Sequence, residues 1–293
     1  NSLAETMTDL FTIYSNLLRS FVEIVRACYE VKLNEGFMRD LMETNRLLLD
    51  FILNLGYMYV KPNRIIIDSK FLRFIKLYEK DILNDIAVAI EYVREKYGIK
   101  RVAIIDLDVH HANGTQEIYY RDPDVLLISF HQDGRTLYPG SGFIEELGEG
   151  DGEGYTINLP FVPGSGNQSY IEAFDEIVPD IIYQFKPEMI VYQSGVDTHH
   201  TDPLADMLLT YRAYHMLASR IKELSEKTCK KLLVLFGGGY NGDASVKSYY
   251  NIVCALTGKG NAITEEEIPD TKIEITRERI NKLKEVLSWY WSV

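Results

Sequence analysis

Apolar and polar positions divide the chain into two textures. Up to about residue 39, apolar side chains recur at helical spacing, at Leu10, Ile13, Leu17, Phe21, Ile24, Val25 and Cys28. That period predicts one or two amphipathic helices, and residues 1–60 read as helical throughout. Lys61-Pro62-Asn63 breaks the pattern, residues 64–68 could form a short strand, and residues 71–78 turn helical again. None of these segments carries recognisable chemistry. From residue 84 the texture changes. Residues 84–97 predict a helix stopped by Gly98, and 101–108 predict a strand. Strand-like segments at 125–129, 188–193 and 231–236 then alternate with helical ones at 167–183, 210–225 and 244–256. Short apolar strands between helices predict a mainly parallel sheet covered on both faces, a three-layer α/β/α architecture. The chain therefore divides into a helical N-terminal region, 1–82, and an α/β region, 83–293, expected to form one continuous domain.

In such sheets ligands gather at the carboxyl ends of the strands, and three strand ends carry chemistry. The first reads Asp106-Leu107-Asp108-Val109-His110-His111. Alternate residues of an extended segment share a face, so Asp106, Asp108 and His110 are expected to point the same way. A carboxylate and an imidazole at that spacing can hold one divalent metal, and they can equally cap the next turn. The second strand runs into Ser194-Gly195-Val196-Asp197-Thr198-His199-His200. An acid directly after a buried strand must be hydrogen-bonded, paired or metal-bound, which makes Asp197 the natural third ligand. Two carboxylates and one imidazole leave coordination positions open, as a catalytic metal requires. His199 and His200 read as ordinary loop histidines. The third strand ends in Gly237-Gly238-Gly239-Tyr240-Asn241. Its glycines let the backbone approach a ligand closely, and the Tyr240 phenol could donate to a developing oxyanion. By itself the run is also a plain tight turn.

Composition narrows the class. The chain has 293 residues, 46% hydrophobic and 25% charged, enough for a sizeable core and unlike collagen, coiled coil or bulk disorder. A net charge of −12 provides no counterion-releasing surface for a phosphate backbone, so no direct nucleic-acid partner is expected. Cys28, Cys229 and Cys254 show no C-x-x-C spacing, which suits a reducing compartment and excludes a thiolate zinc site. The sequence opens Asn1-Ser2-Leu3-Ala4-Glu5 without a secretory pattern, and a first residue other than Met is consistent with a loss of residues upstream. The longest apolar stretch, 47–60, is interrupted by Asp50, Asn54 and Gly56 and falls short of the roughly 20 residues that span a bilayer. A cytoplasmic protein with no membrane partner is expected. The acids Glu145, Glu146, Glu149, Asp151 and Glu153 form either a solvated turn or a negative rim for basic peptides or polyamines.

Several segments occur in one telling order: Leu83-Asn84-Asp85, residues 106–116, Ser129-Phe130-His131, Tyr138-Pro139-Gly140-Ser141-Gly142, Ser194-Gly195-Val196-Asp197, Asp202-Pro203-Leu204 and Gly237-Gly238-Gly239-Tyr240-Asn241. Together they resemble the histone deacetylase family, which has the arginase-deacetylase fold and includes acetylpolyamine amidohydrolases and acetoin-utilisation proteins. The likeness covers residues 83–260, with a family-like helical tail ending in Trp289-Tyr290-Trp291. It implies zinc, or iron in some members, on Asp108, His110 and Asp197, with Tyr240 polarising an amide carbonyl. It also implies potassium held by Asp106 and by backbone oxygens around Asp108, His110, Ser129 and Phe130. Tyr138 would form an aromatic wall of an acyl-lysine tunnel and Gly238 would contact substrate. The implied activity removes acetyl groups from a lysine peptide, a polyamine or another small amine.

One family feature is missing. Members carry a Gly-His-His segment upstream of the Leu-Asn-Asp position, whose histidines act as general base and general acid. Here that place reads Ser69-Lys70-Phe71-Leu72-Arg73, and the six histidines are His110, His111, His131, His199, His200 and His215. Losing acid–base assistance typically costs about 100- to 10,000-fold in rate. Two further readings follow: a metal-binding pseudoenzyme that recognises acyl-lysine without cleaving it, and an interaction module whose α/β half is scaffold.

Overall fold

A computed structural model of the chain describes residues 84–293, all within one folded unit. It opens with helix α1 (Asp85–Tyr97), which the local sequence delimits at both ends. The Asn84 side chain accepts the Ala87 N–H at 2.8 Å, and Gly98 ends the helix at φ 69°. Five strands follow, β1 (Val102–Asp106), β2 (Val125–Gln132), β3 (Thr156–Phe161), β4 (Met189–Gln193) and β5 (Leu232–Leu235). They form one all-parallel sheet in the order β3-β2-β1-β4-β5. Between and after them run α2 (Asn113–Tyr119), α3 (Asn167–Phe185), α4 (Tyr211–Lys227), α5 (Gly242–Thr257) and α6 (Ile273–Leu287).

Strand alternation builds the layers. Ala103 and Ile105 of β1, Leu126 and Ile128 of β2, and Ile190 and Tyr192 of β4 pack on one face against α3, α4, α5 and α6. Val102, Ile104, Val125, Leu127, Met189 and Val191 face the other way, against Ile86, Ala87 and Ile90 of α1 and Tyr119 of α2. Both faces of the three central strands are covered, which is why they read as continuous apolar runs. The expected three-layer α/β/α architecture with a parallel sheet is the one found. The helical region expected over 1–82 lies outside the described residues. Among the described residues no helix is long and apolar enough to cross a membrane.

Three elements differ from expectation. The first strand stops at Asp106, two residues early. Strand β3 gave no apolar signal because its sequence, Thr156-Ile157-Asn158-Leu159-Pro160-Phe161, carries an amide and a proline. Proline is tolerated because β3 is the last strand in the described sheet, where one row of N–H groups needs no ladder partner. Helix α2 is seven residues long and starts Asn-Gly-Thr, too short and too weakly helical to read from pattern.

Helices α3 and α4 begin without caps of their own, since Gly166 and Thr210 supply no side-chain hydrogen bond there. The connector between α5 and α6, residues 258–272, supplies them. Asp270 Oδ2 accepts the Ser169 N–H of α3 at 2.7 Å, and Glu265 Oε1 accepts the Tyr211 N–H of α4 at 2.7 Å.

Candidate metal centre

Asp106, at the carboxyl end of β1, lies between Ser129 of β2 and Gln193 of β4 in the sheet register. Beyond it the backbone curls instead of extending. Asp106 Oδ1 accepts the Asp108 N–H at 3.0 Å, and Asp108 Oδ1 accepts the His110 N–H at 2.8 Å. Two successive side-chain turns of this kind are what Asp favours after a strand. The expected common face through strand alternation is therefore corrected: these turns, not an extended segment, bring Asp108 and His110 together. The turn-capping reading and the cluster are both present in the same residues.

Asp197 arrives from the loop after β4, fully buried. Its Oδ1 accepts the Val109 N–H at 2.9 Å, which ties the two strand ends together. His110 Nδ1 then stands 3.1 Å from Asp108 Oδ1 and 3.2 Å from Asp197 Oδ2. The ligand atoms of Asp108, His110 and Asp197 all lie within 4.8 Å of one another. Hydrogen bonds to Asp108 and then Asp197 push the His110 imidazole up to about 10. Burial, then the Asp108 charge, pushes Asp197 up to about 6. Burial holds Asp106 well above the carboxylate range, and Asp108 adds to it.

The surroundings are shaped to this cluster. A Cβ on Gly195 or on Gly238 would strike Asp108 Oδ2, and Gly238 sits at φ +89°. Glycine is needed at both because the backbone passes directly over the carboxylate. Two carboxylates and an imidazole are a donor set for zinc or iron(II).

Tyr240 follows the glycine run, about half exposed. Its backbone N–H donates to Asp202 Oδ2 at 2.7 Å, so the loop bearing Asp197 also anchors Tyr240. Burial raises the phenol pKa, with Asp197 and Asp108 adding to the rise. Tyr138 is 76% exposed, so its ring serves the surface and not the core. Ser129 is buried in β2 with its hydroxyl on His131, and the Phe130 ring packs edge-on against Phe161 at 5.7 Å.

The remaining histidines are engaged elsewhere. Gln116 Oε1 accepts from His111 Nε2 at 2.9 Å and from Asn158 Nδ2 at 2.7 Å, while Gln116 Nε2 donates to Glu146 at 2.6 Å. His131 Nε2 donates to the Gly142 carbonyl at 2.9 Å. Burial, reinforced by His111, depresses His131 to about 3 and keeps it neutral. His199 and His200 both turn their Nε2 atoms to Glu265, at 3.0 and 3.1 Å. His215 lies on α4. Among the described residues, His110 is thus the one imidazole in the cluster. Four acids of the acidic run are also engaged. Glu145 meets Lys282, Glu146 accepts the Gly142 and Phe143 N–H groups, Glu149 meets Arg121 at 2.8 Å and Glu153 accepts the Tyr290 hydroxyl.

Sequence reasoning missed Glu265 and Asn158, and it gave Gln116 and Glu146, both named in motifs, no part in holding His111. Their partners are distant in sequence, and Glu265 stands in a run of three glutamates that reads as solvent-facing.

Fold and site together define an α/β/α protein whose candidate centre lies at the carboxyl edge of a parallel sheet. Residues 82–256 match the family model described as the histone deacetylase domain, and the chain belongs to that family. A probable deacetylase of Archaeoglobus fulgidus is 39% identical over 222 residues, covering 71% of this chain and 61% of that protein. The chloroplastic histone deacetylase 10 of Oryza sativa subsp. japonica is 41% identical over 216 residues, covering 71% of this chain and 47% of its own length. The solved structure of the histone deacetylase Clr3 superposes with a TM-score of 0.63 at 32% identity, covering 72% of this chain and 35% of that one. The chain thus spans about half the length of the curated relatives it matches.

Proposed function

We propose that the chain is a metal-dependent, deacetylase-like amidohydrolase acting on acetyl-lysine or a related acylated amine. The observation that carries this reading is the shortage of positive charge at the centre: Asp108 and Asp197 both face the single imidazole of His110, and Asp106 stands behind them on the Asp108 N–H. Buried carboxylates in that number call for a cation. Asp108, His110 and Asp197 would hold a divalent metal, zinc or iron(II), and Asp106 with backbone oxygens near Asp108, His110, Ser129 and Phe130 would hold potassium. A divalent metal there supplies Lewis acidity toward an amide carbonyl.

The chain's own residues supply the rest. Tyr240 keeps its phenolic proton at neutral pH and donates it as a hydrogen bond to the oxygen that becomes negative as the amide is attacked. Asp202 fixes the Tyr240 backbone, which sets the point from which the phenol reaches the site. Tyr138 offers an aromatic face to the aliphatic stem of an acyl-lysine, and Gly238 lets that stem approach the backbone. Glu145, Glu146, Glu149 and Glu153 are engaged within the chain, which supports the solvated-turn reading of that loop over a substrate-attracting rim. Cysteine usage supports a reducing compartment such as the cytoplasm.

A second reading has its own support. Among the described residues His110 alone belongs to the cluster, while His111, His131, His199 and His200 are turned to Gln116, Gly142 and Glu265, so none of these four is placed to protonate a departing amine. A centre that binds acyl-lysine without cleaving it is that reading. Acetate release from an acetyl-lysine peptide by the zinc-loaded chain, beside Asp197→Asn, separates the two. Turnover that vanishes in the variant supports the hydrolase. No turnover from a chain holding one zinc overturns it in favour of the binder.

A further inference from the structure

Residues 197–202 form a short bridge between the two halves of the candidate site. Asp197 at one end belongs to the metal cluster, and Asp202 at the other holds the Tyr240 N–H. Thr201 adds to the second end, since Asn241 Nδ2 donates to its carbonyl at 3.2 Å and its hydroxyl at 3.0 Å. Whatever fixes the middle of this bridge sets the spacing between cluster and phenol.

The middle is His199 and His200, and both are gripped by one carboxylate. Glu265 Oε1 faces His199 Nε2 at 3.0 Å and Oε2 faces His200 Nε2 at 3.1 Å. The same Oε1 accepts the first N–H of α4, from Tyr211, at 2.7 Å. The His199 ring is buried, stacked on Tyr211 at 4.7 Å and tilted against His200 at 4.5 Å. His199, His200 and Glu265 also have atoms spaced closely enough for a metal, but the protons argue for another role. The Thr201 N–H points to His199 Nδ1 at 3.3 Å, so Nδ1 accepts and Nε2 carries the hydrogen that meets Glu265. Three N–H groups satisfy one carboxylate, and no cation is required.

We propose that Glu265 is a positioning residue: a latch, supplied by the connector after α5, that fixes the 197–202 bridge and thereby places Asp197 and Tyr240 for the metal centre. The inference rests on the metal reading given under the proposed function. Its nearest structural counterpart is Asp270, on the same connector, which caps α3 as Glu265 caps α4 but touches neither histidine. The pair separates positioning from mere stability.

The test is cobalt(II) binding to the full chain, by chelator competition and by the visible absorption of the bound ion, for wild type, Glu265→Ala, Glu265→Gln and Asp270→Asn. Thermal unfolding of each variant identifies any that do not fold. Partners behind a metal ligand typically contribute about 10- to 100-fold in affinity. Both Glu265 variants are expected to lose affinity in that range and to shift the cobalt absorption, while Asp270→Asn, although less stable, binds with the wild-type constant and spectrum. Wild-type affinity in a folded Glu265 variant overturns the latch, as does an equal loss in Asp270→Asn. A wild-type chain that takes no cobalt at all overturns the metal reading and the latch with it, an outcome distinct from the other two.

Discussion

Two histidine–carboxylate clusters share the loop after β4, and they are balanced in opposite ways. At Asp108, His110 and Asp197, two carboxylates, with Asp106 close behind, face a single imidazole nitrogen. At Glu265, two imidazole N–H groups and a backbone N–H meet one carboxylate. Residue types alone would place both among metal sites. Counting donors against acceptors separates them: the first cluster has negative charge without enough partners, and the second is complete. The pKa directions follow the same count. Burial raises Asp197 to about 6, whereas Glu265 stays below its usual value because its N–H partners outweigh its burial.

The comparison breaks if the two clusters respond alike to loss of a carboxylate. Asp197→Asn retains an acceptor for the Val109 N–H and removes one buried charge. We expect metal affinity to fall by more than the roughly 100-fold that an outer partner contributes, while the metal-free chain becomes more heat-stable; titration calorimetry and thermal melts read the two effects. Glu265→Ala should do the reverse to stability. It leaves three N–H groups without their acceptor, at roughly 1–3 kcal/mol for each that stays buried, measurable by urea unfolding of the metal-free protein. The smallest effect concerns a third carboxylate, Asp133, held by Arg279 at 2.8 Å and by the Arg135 N–H at 3.0 Å. Burial alone would raise its pKa, yet these partners bring it below the usual value. A depressed carboxylate contributes stability above its unfolded pKa and loses it as pH falls through the folded one. Asp133→Asn should therefore flatten the acid limb of the stability profile, with a cost near neutrality of about 1 kcal/mol.

Much of the centre was legible because Asp108, Asp197 and Tyr240 each follow an apolar strand whose end the hydrophobic pattern marks. The first helix was legible for a similar reason, with Asn84 and Gly98 marking its two ends. Strand alternation predicts the approach of His110 to Asp108, but side-chain-to-backbone turns are what achieve it. Strand β3 was hidden because Asn158 is buried for the sake of a hydrogen bond to Gln116, 42 residues earlier, which no local period encodes. Glu265 was hidden more deeply. Its histidine partners stand 65 and 66 residues upstream, and flanking glutamates give it the look of a solvated charge.

The borrowed caps of α3 and α4 also bear on the order in which the molecule can be completed. Asp270 reaches back 101 residues to Ser169, and Glu265 reaches back 54 to Tyr211. A chain emerging from the ribosome presents strands, both helices and all of Asp108, His110 and Asp197 before either cap has been synthesised. Contacts so distant in sequence form late, because their loops must close first. The carboxyl edge of the sheet is therefore finished only when the C-terminal connector has emerged, and a nascent or clipped product ending at Gly258 would hold Asp108, His110 and Asp197 yet lack both caps.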